Sequence, residues 1–237
     1  MDPQTRLKQK AAHHAVRFIE SGMIIGLGSG STARFAVERL GELLRGGQLQ
    51  DVAGIPSSLQ TEKLARRAGV PLTDFSAHPV IDITIDGADE ADPHLNLIKG
   101  GGGALLREKV LAQASNRNII IVDPGKMSAN LGHKWAVPLE VVPFALKRVE
   151  YFLKGLGASV SLRKAANSAP FWTDQHNLIL DANFGLIEQP RQLSDELSSR
   201  AGVVAHGIFI GLTTDLIVAE QTKIRHLQRH HNQIVET

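Results

Sequence analysis

Short runs of apolar, mostly β-branched residues alternate with amphipathic segments, and this alternation limits the fold more than any other feature of the sequence. The apolar runs are 23–27, 52–55, 70–72, 80–85 and 118–122. The segments between them repeat apolar residues at steps of three and four, as amphipathic helices do: 7–20, 33–44, 60–68 and 104–114. Continuous apolar runs are typical of strands buried on both faces. The alternation therefore predicts βαβ units around an open, mostly parallel α/β sheet.

A different order of elements begins after Pro124. We expect strands and helices in the order β-α-β-β-α-β over 139–142, 145–156, 158–162, 177–181, 192–200 and 202–205. This order is that of a ferredoxin-like α+β module. It predicts a small domain, 134–206, inserted into a larger domain made of 1–133 and 207–237. Segment 207–219 is expected to return to the first sheet as an antiparallel hairpin.

The composition narrows the class of protein. The 237 residues are 43% hydrophobic and 21% charged, which excludes a largely disordered chain. Because 26 Lys+Arg face 24 Asp+Glu, the net charge is only +2 and gives no support to a nucleic-acid partner. No apolar run approaches the ~20 residues of a membrane-spanning helix, so no membrane partner is expected. The absence of cysteine excludes disulfides and thiolate metal sites and fits a cytoplasmic protein.

A glycine-rich turn, 28–32, follows the first strand and opens a helix. Ligands of open α/β sheets bind beyond the carboxyl ends of the strands. Here the backbone N–H groups, the helix dipole and the hydroxyls of Ser29, Ser31 and Thr32 would form an anion cradle. No lysine precedes Ser31 as in a Walker loop, and Ser31 stands where a dinucleotide fingerprint has glycine. A single phosphate is the better match; the alternative is that Ser31 or Thr32 only caps the helix.

An acidic turn, 86–90, follows the strand 80–85. Asp86 and Asp89 are separated by small residues that let a substrate approach the backbone. Paired carboxylates suit general acid–base catalysis or a divalent metal. The alternative is a polar turn with helix-capping aspartates.

A glycine loop, 100–103, separates Lys99 from the helix that carries Glu108. Consecutive glycines lose chain entropy on folding, so the loop suggests that its backbone closely approaches a ligand. Glu108 lies within or at the edge of the apolar stripe of Leu105, Leu106, Val110 and Leu111. A carboxylate placed there could have a raised pKa and act as a base. The alternative is a salt bridge to a neighbouring cation on an exposed face.

The segment beyond Gln221 is basic and rich in histidine. His226 and His230 have the i, i+4 spacing of metal ligands on a helix. No third ligand accompanies them, so we expect a solvated face and no metal site.

The segments GLGSGST, IPSSLQTE, DGADE, LIKGGGGALLREK and VDPGKMS, in this order, resemble ribose-5-phosphate isomerase, type A, over about residues 8–220. That family has a Rossmann-like domain with a ferredoxin-like insertion, in agreement with the order of elements above. The resemblance implies an aldose–ketose isomerase that interconverts D-ribose 5-phosphate and D-ribulose 5-phosphate in the pentose phosphate pathway. It implies a sugar phosphate as the small-molecule partner, no metal or organic cofactor, and a homodimer or homotetramer.

The resemblance also implies a role for each matched residue. Glu108 matches the proton-transferring base. Lys99 would stabilise the enediolate, Asp86 would assist ring opening or hydroxyl proton movement, and Asp89 would orient sugar hydroxyls. The matched substrate-binding residues are Ser29, Gly30, Ser31, Thr32, Asp86, Gly87, Ala88, Asp89, Lys99, Gly100, Gly101, Gly102, Lys126 and, near the phosphate, Lys8.

The chain departs from the family pattern at three places, one of which is a longer and more histidine-rich C-terminal tail beyond Gln221. Gln175-His176 replaces the Asn-Gly of a usual Asp-Asn-Gly-Asn turn, which predicts a looser loop, and Ala205 stands where an acidic or polar residue is common. Two other functions stay open. One is a different sugar-phosphate or coenzyme A-handling enzyme on a related fold, and the other is a non-catalytic sugar-phosphate sensor. The presence of Glu108 together with Lys99 and Asp86 argues against the sensor.

Overall fold

The computed structural model describes residues 1–231 and 233–237. The chain divides into two compact units, one of Met1–Ala88, Arg107–Met127 and Gly211–Thr237, the other of Asp89–Leu106 and Ser128–Ile210. The helices are α1 (Pro3–Val16), α2 (Gly30–Arg45), α3 (Leu59–Ala68), α4 (Leu105–Ala114), α5 (Leu146–Gly155) and α6 (Pro190–Ser198), with 3-10 turns at Pro124–Lys126 and Pro143–Ala145. The strands are β1 (Ile24–Leu27), β2 (Ala53–Pro56), β3 (Ile81–Asp86), β4 (Glu90–Ala91), β5 (Leu97–Ile98), β6 (Ser115–Val122), β7 (Val137–Val141), β8 (Ser159–Leu162), β9 (Leu178–Asn183), β10 (Val203–His206), β11 (Ile208–Phe209), β12 (Asp215–Ala219), β13 (Ile224–His230) and β14 (Gln233–Glu236).

The first unit is built on a seven-stranded sheet in the order β14-β13-β12-β6-β3-β1-β2. The five strands from β12 to β2 run parallel, and β13 and β14 continue the sheet antiparallel. Buried isoleucines of β1, β3 and β6 pack with residues of α1 and α2 in one hydrophobic core. The predicted Rossmann-like, mostly parallel sheet is confirmed.

The second unit holds a four-stranded antiparallel sheet in the order β10-β7-β9-β8. Leucines and valines of the sheet pack against Val149 and Leu153 of α5 and Leu197 of α6. The strand order and the two helices are those of a ferredoxin-like module, so the inserted α+β fold is confirmed; we propose 134–206 as its bounds. A separate three-stranded sheet, β11-β5-β4, also belongs to this unit.

Two strand predictions are wrong. Residues 70–72 form only one bridge, Leu72 to Gly54, and Pro71 offers a carbonyl but no N–H for a ladder. Segment 207–219 does not form a hairpin of its own, because β11 pairs with β5 and β12 runs parallel to β6. The antiparallel partner of β12 is β13, across a turn in which the Glu220 N–H donates to the Lys223 carbonyl at 2.9 Å.

The turn at Gln175-His176 is closed, contrary to the expected looser loop. The Thr173 N–H donates to the Asn177 carbonyl, and the His176 N–H donates to the Thr173 carbonyl, both at 2.9 Å. His176 itself takes a φ of +57°, the left-handed conformation that glycine adopts without strain. Ala205, the second departure, is buried beside Leu105 and Ile179 and serves as a core residue.

The C-terminal histidines do not share a solvated face. They lie on strand β13, where residues four apart are separated by about 13 Å, too far for one metal ion. His230 is exposed, whereas His226 is buried and its Nε2 lies 2.7 Å from Oδ1 of Asp215. His226 and His230 are therefore part of the sheet.

Candidate active site

The glycine-rich turn 28–32, the predicted anion cradle, lies at the carboxyl end of β1. The Gly28 N–H donates to the Ile85 carbonyl of the neighbouring strand β3 at 3.0 Å, which fixes the start of the turn. Helix α2 begins at Gly30, with Ser29 as its N-cap residue and no side-chain capping hydrogen bond. Ser31 and Thr32 therefore lie in the first helical turn. The alternative that either of them caps the helix is wrong.

A cluster of buried hydroxyls holds the cradle. Ser29 Oγ lies 2.6 Å from Ser57 Oγ, 3.0 Å from Ser58 Oγ and 3.1 Å from Thr61 Oγ1. Thr61 also donates to the Gly28 carbonyl at 3.1 Å. The sequence pointed to these residues only as the motif IPSSLQTE, and no role was predicted for Ser57, Ser58 or Thr61. Their position directly after β2 was the available signal.

Basic side chains lie at the same edge of the sheet. Lys8, on α1, donates from Nζ to Ser31 Oγ at 3.0 Å, so an ammonium group stands at the cradle. Lys126 ends the 3-10 turn that follows β6, the strand next to β3 in the sheet. The position of Lys8 is suited to a phosphate, because the helix N-terminus and the ammonium group favour the same negative charge.

Asp86 joins the acidic turn to the cradle. Its Oδ1 accepts hydrogen bonds from the Ser29 N–H at 3.0 Å and from the Gly87 N–H at 2.7 Å. The side chain is buried at the end of β3. This carboxylate therefore orients the backbone of both turns, whatever else it does in a reaction.

In the second unit, Asp89 contacts the glycine loop. Its Oδ2 accepts the Gly101 N–H at 2.7 Å, and its own N–H donates to the Ile98 carbonyl at 2.9 Å. The following residue, Glu90, is fully buried and accepts N–H groups from the segment 132–135. The last carboxylate of the acidic turn is thus a structural anchor.

The glycines of the loop are required by packing and by backbone conformation; their approach to a ligand stays a prediction. Gly100 and Gly103 have φ values of +101° and +85°. A Cβ at Gly101 would lie 2.7 Å from Oδ1 of Asp89 and 2.9 Å from Trp135. Only Gly102 is exposed, and a Cβ there would meet no atom within 4 Å.

Lys99 and Glu108 flank this loop along the chain, and both are buried. Lys99 is 3% exposed, and its Nζ lies 5.7 Å from the ring centroid of Phe209. Glu108 is 6% exposed on α4, on the same helical face as Leu105 and Ala112. The alternative of an exposed salt-bridged Glu108 is therefore wrong. Val110, expected in the apolar stripe, is 41% exposed.

Asp215 at the start of β12 forms a second polar cluster in the first unit. Burial alone would raise the pKa of Asp215, but hydrogen bonds from Arg117, Thr214, Gln228 and His226 outweigh it and hold that pKa well below its ordinary value. Arg117 binds both carboxylate oxygens of Asp215, with an Nε–Oδ2 distance of 2.9 Å and an Nη2–Oδ1 distance of 2.7 Å. The cluster lies at the amino ends of the parallel strands, opposite the cradle, and supports the sheet.

Within 1–231 and 233–237, no three histidine, cysteine or carboxylate side chains are grouped so that they could hold a metal ion. None of the helices over those same ranges is both long and apolar enough to cross a membrane.

A Rossmann-like unit with an anion cradle at the carboxyl edge of its sheet is typical of enzymes that act on small phosphorylated metabolites. The family model described as ribose 5-phosphate isomerase A (phosphoriboisomerase A) matches residues 53–223. The chain belongs to this family, and the resemblance identified in the sequence is confirmed.

Individual proteins that are similar to this chain carry the name of the same family. The chain is 54% identical to ribose-5-phosphate isomerase A of Desulfatibacillum aliphaticivorans, over 96% of this chain and 99% of that one. It is 51% identical to the protein of the same name from Chloroflexus aurantiacus, over 93% and 92% of the two chains. Among solved structures, a D-ribose-5-phosphate isomerase in complex with phospho-erythronic acid superposes with a TM-score of 0.94 at 38% identity, covering 97% of this chain and 100% of that chain.

Proposed function

We propose that this chain interconverts D-ribose 5-phosphate and D-ribulose 5-phosphate through an enediolate, the aldose–ketose isomerisation of its family. The cradle carries the proposal, because Lys8 Nζ stands 3.0 Å from Ser31 Oγ at a turn that is tied to the buried Asp86. The reaction moves a proton between C2 and C1 of the open-chain sugar. It needs a base at those carbons, donors for the developing oxyanion and a grip on the remote phosphate.

Glu108 is the proposed base. Its carboxylate removes the C2 proton of ribose 5-phosphate and returns it to C1, and it performs the reverse transfer for ribulose 5-phosphate. Its burial on α4 supports this role, since a base for carbon acids works best away from bulk water. Positioned proton transfer of this kind typically contributes ~10²–10⁴ in rate.

Lys99 and the Gly102 N–H of the glycine loop stabilise the enediolate oxygen in this proposal. The buried ammonium of Lys99 supports the role, because a charge held away from water acts strongly on a nearby anion. Asp89, fixed by the Gly101 N–H, orients sugar hydroxyls. Asp86 assists ring opening or moves the proton that passes from O2 to O1 in the isomerisation, with the carboxylate oxygen that is not bound by the two turn amides.

The phosphate binds at the cradle in this proposal, held by Ser29, Gly30, Ser31 and Thr32 together with Lys8 and Lys126. Binding energy from this remote group positions the reacting carbons. Gly87, Ala88, Gly100 and Gly102 complete the contact with the sugar. No metal or organic cofactor takes part in the proposed reaction. The chain works in the cytoplasm as a homodimer or homotetramer. Light scattering on the purified protein would test this oligomeric state.

Conversion of ribose 5-phosphate by chelator-treated protein, with unphosphorylated ribose as the comparison substrate, tests the function. We expect ribulose 5-phosphate to form without added metal, and ribose to react with a far lower kcat/KM. No conversion of ribose 5-phosphate would contradict the activity. Activity that is lost with chelator and restored by a divalent ion would contradict the metal-free mechanism, and equal efficiency on both sugars would contradict the phosphate site.

A further inference from the structure

Arg163, which directly follows β8, contacts the glycine loop from the side of the inserted module. Its Nη1 donates to the Gly100 carbonyl at 2.7 Å and to the Gly101 carbonyl at 3.0 Å. Its Nε and Nη2 both bind the carboxylate of Asp181, with an Nε–Oδ2 distance of 2.9 Å. The guanidinium is therefore fixed by its ion pair while it holds two peptide oxygens of the loop.

The backbone of Arg163 is fixed as well. Its N–H donates to the Ile179 carbonyl, and its carbonyl accepts the Phe171 N–H, both at 2.9 Å. The side chain is 13% exposed. Arg163 thus has little freedom to leave the loop, whereas an arginine on an exposed surface would have much.

The two carbonyl contacts determine where the loop amides point. The peptide bonds of the described residues are trans, so the C=O and N–H of one peptide point in opposite directions. The peptide that joins Gly100 and Gly101 is held at both ends, its oxygen by Arg163 and its N–H by Asp89 Oδ2 at 2.7 Å. In the next peptide, Arg163 holds the Gly101 oxygen, so the Gly102 N–H points away from the guanidinium, at an exposed position of the loop.

We propose that Arg163 is a positioning residue for the isomerase reaction: it orients and polarises two peptides of the glycine loop, so that the Gly101 N–H fixes Asp89 and the Gly102 N–H faces the enediolate. A cation on the carbonyl side strengthens the N–H on the other side of each peptide as a donor. The inference rests on the proposed function, in which the Gly102 N–H stabilises the oxyanion and Asp89 orients the sugar hydroxyls. If Arg163 stabilised only the sheet, its ion pair with Asp181 would be sufficient, and its contacts with the Gly100 and Gly101 carbonyls would have no function.

Kinetics of Arg163→Ala and Arg163→Lys test the proposal, with Arg148→Ala, at an exposed arginine of helix α5 in the same unit, as the control. We expect kcat of Arg163→Ala to fall on the order of 10–100-fold, because a small misplacement of catalytic groups is costly. KM for ribose 5-phosphate should change much less. The inhibition constant of phospho-erythronic acid, whose carboxylate carries a negative charge like that of the enediolate, should rise together with the loss in kcat. Arg163→Lys should fall between, since an ammonium cannot bridge Asp181 and both carbonyls.

Two further measurements separate positioning from general stability. Methylguanidine added to Arg163→Ala should restore part of kcat, which a merely structural loss would not permit. Amide hydrogen exchange over residues 100–103 should quicken in Arg163→Ala without any need for turnover, so it tests the clamp independently of the isomerase activity. The proposal would be overturned if Arg163→Ala kept both amide exchange and kcat at wild-type values. It would also be overturned if kcat fell, methylguanidine did not restore it, and the inhibition constant of phospho-erythronic acid stayed unchanged.

Discussion

Asp86 accepts the backbone N–H of Ser29 through Oδ1 at 3.0 Å, so the acidic turn after β3 and the anion cradle after β1 form one hydrogen-bonded unit. The same oxygen accepts the Gly87 N–H at 2.7 Å. A residue with a predicted chemical role therefore has a structural role as well, and the two roles respond differently to substitution.

Substitution of Asp86 should separate these roles. Asp86→Ala leaves the Ser29 and Gly87 amides without their acceptor, at a cost of about 1–3 kcal/mol for each buried group that finds no replacement. Asp86→Asn keeps an oxygen acceptor, so its free energy of unfolding should stay closer to that of the wild type while kcat falls. Chemical denaturation and steady-state kinetics on both variants provide the measurement. Equal destabilisation by Asn and Ala would contradict the hydrogen-bonding role.

Lys8→Met should weaken phosphate binding. Removal of the ammonium that stands 3.0 Å from Ser31 Oγ should raise KM for ribose 5-phosphate and the inhibition constant of inorganic phosphate by a similar factor, on the order of tenfold for a charge-assisted contact. The reaction of unphosphorylated ribose should not change. Arg6→Met, an exposed cation on the same helix α1, is the control and should behave as the wild type. An unchanged inhibition constant of inorganic phosphate in Lys8→Met would contradict the proposal that the cradle binds the phosphate.

His176→Gly should stabilise the protein. A φ of +57° costs a non-glycine residue roughly 1–2 kcal/mol, which exceeds the ~0.4–1 kcal/mol that glycine loses through a more flexible unfolded chain. The free energy of unfolding should therefore rise by roughly 0.5–1 kcal/mol. His176→Ala keeps the same backbone strain and should give no gain. A glycine variant no more stable than the alanine variant would show that the turn is not strained at this residue.

Asp215 should contribute a pH-dependent part of the stability. Because its folded-state pKa lies below the ordinary value, the unfolded chain takes up a proton first as the pH falls. The contribution of Asp215 to the free energy of unfolding is therefore complete above about pH 5. It is lost progressively as the pH falls past the ordinary pKa near 3.9 and approaches the lower pKa of the folded state. The free energy of unfolding of Asp215→Asn should fall less steeply than that of the wild type between about pH 5 and pH 2. Asp195→Asn, an exposed carboxylate, is the control, and parallel curves for Asp215→Asn and the wild type would refute the prediction.

The sequence predicted most of the architecture because the patterns behind it are local. Strand–helix alternation specified the parallel sheet, and the β-α-β-β-α-β order specified the inserted module. The errors came from residues whose partners are distant in the chain. Segment 207–219 was assigned to one sheet because its apolar runs are alike, yet β11 and β12 pair with strands of different units.

The candidate site was predictable as far as its residues lie at the end of a strand or just beyond it, as Asp86 and Ser29 do. Arg163 was not predictable, because its contact with Gly100 joins positions 63 residues apart and no local pattern marks it. The burial of Glu108 was expected as one of two alternatives, since periodicity places a residue on a helical face but does not say what covers that face. The hydroxyl cluster around Ser29 depends on the parallel pairing of β1 with β2, which spacing alone does not specify.

The turnover number of Glu108→Gln on ribose 5-phosphate tests the central claim most directly. Glutamine keeps the size of the side chain and removes the basic oxygen, and the exposed Glu42→Gln on α2 is the matched control. We predict that kcat of Glu108→Gln falls by ~10²–10⁴ while KM changes much less, and that Glu42→Gln keeps the wild-type kcat. A kcat of Glu108→Gln close to that of the wild type would contradict the proposed mechanism.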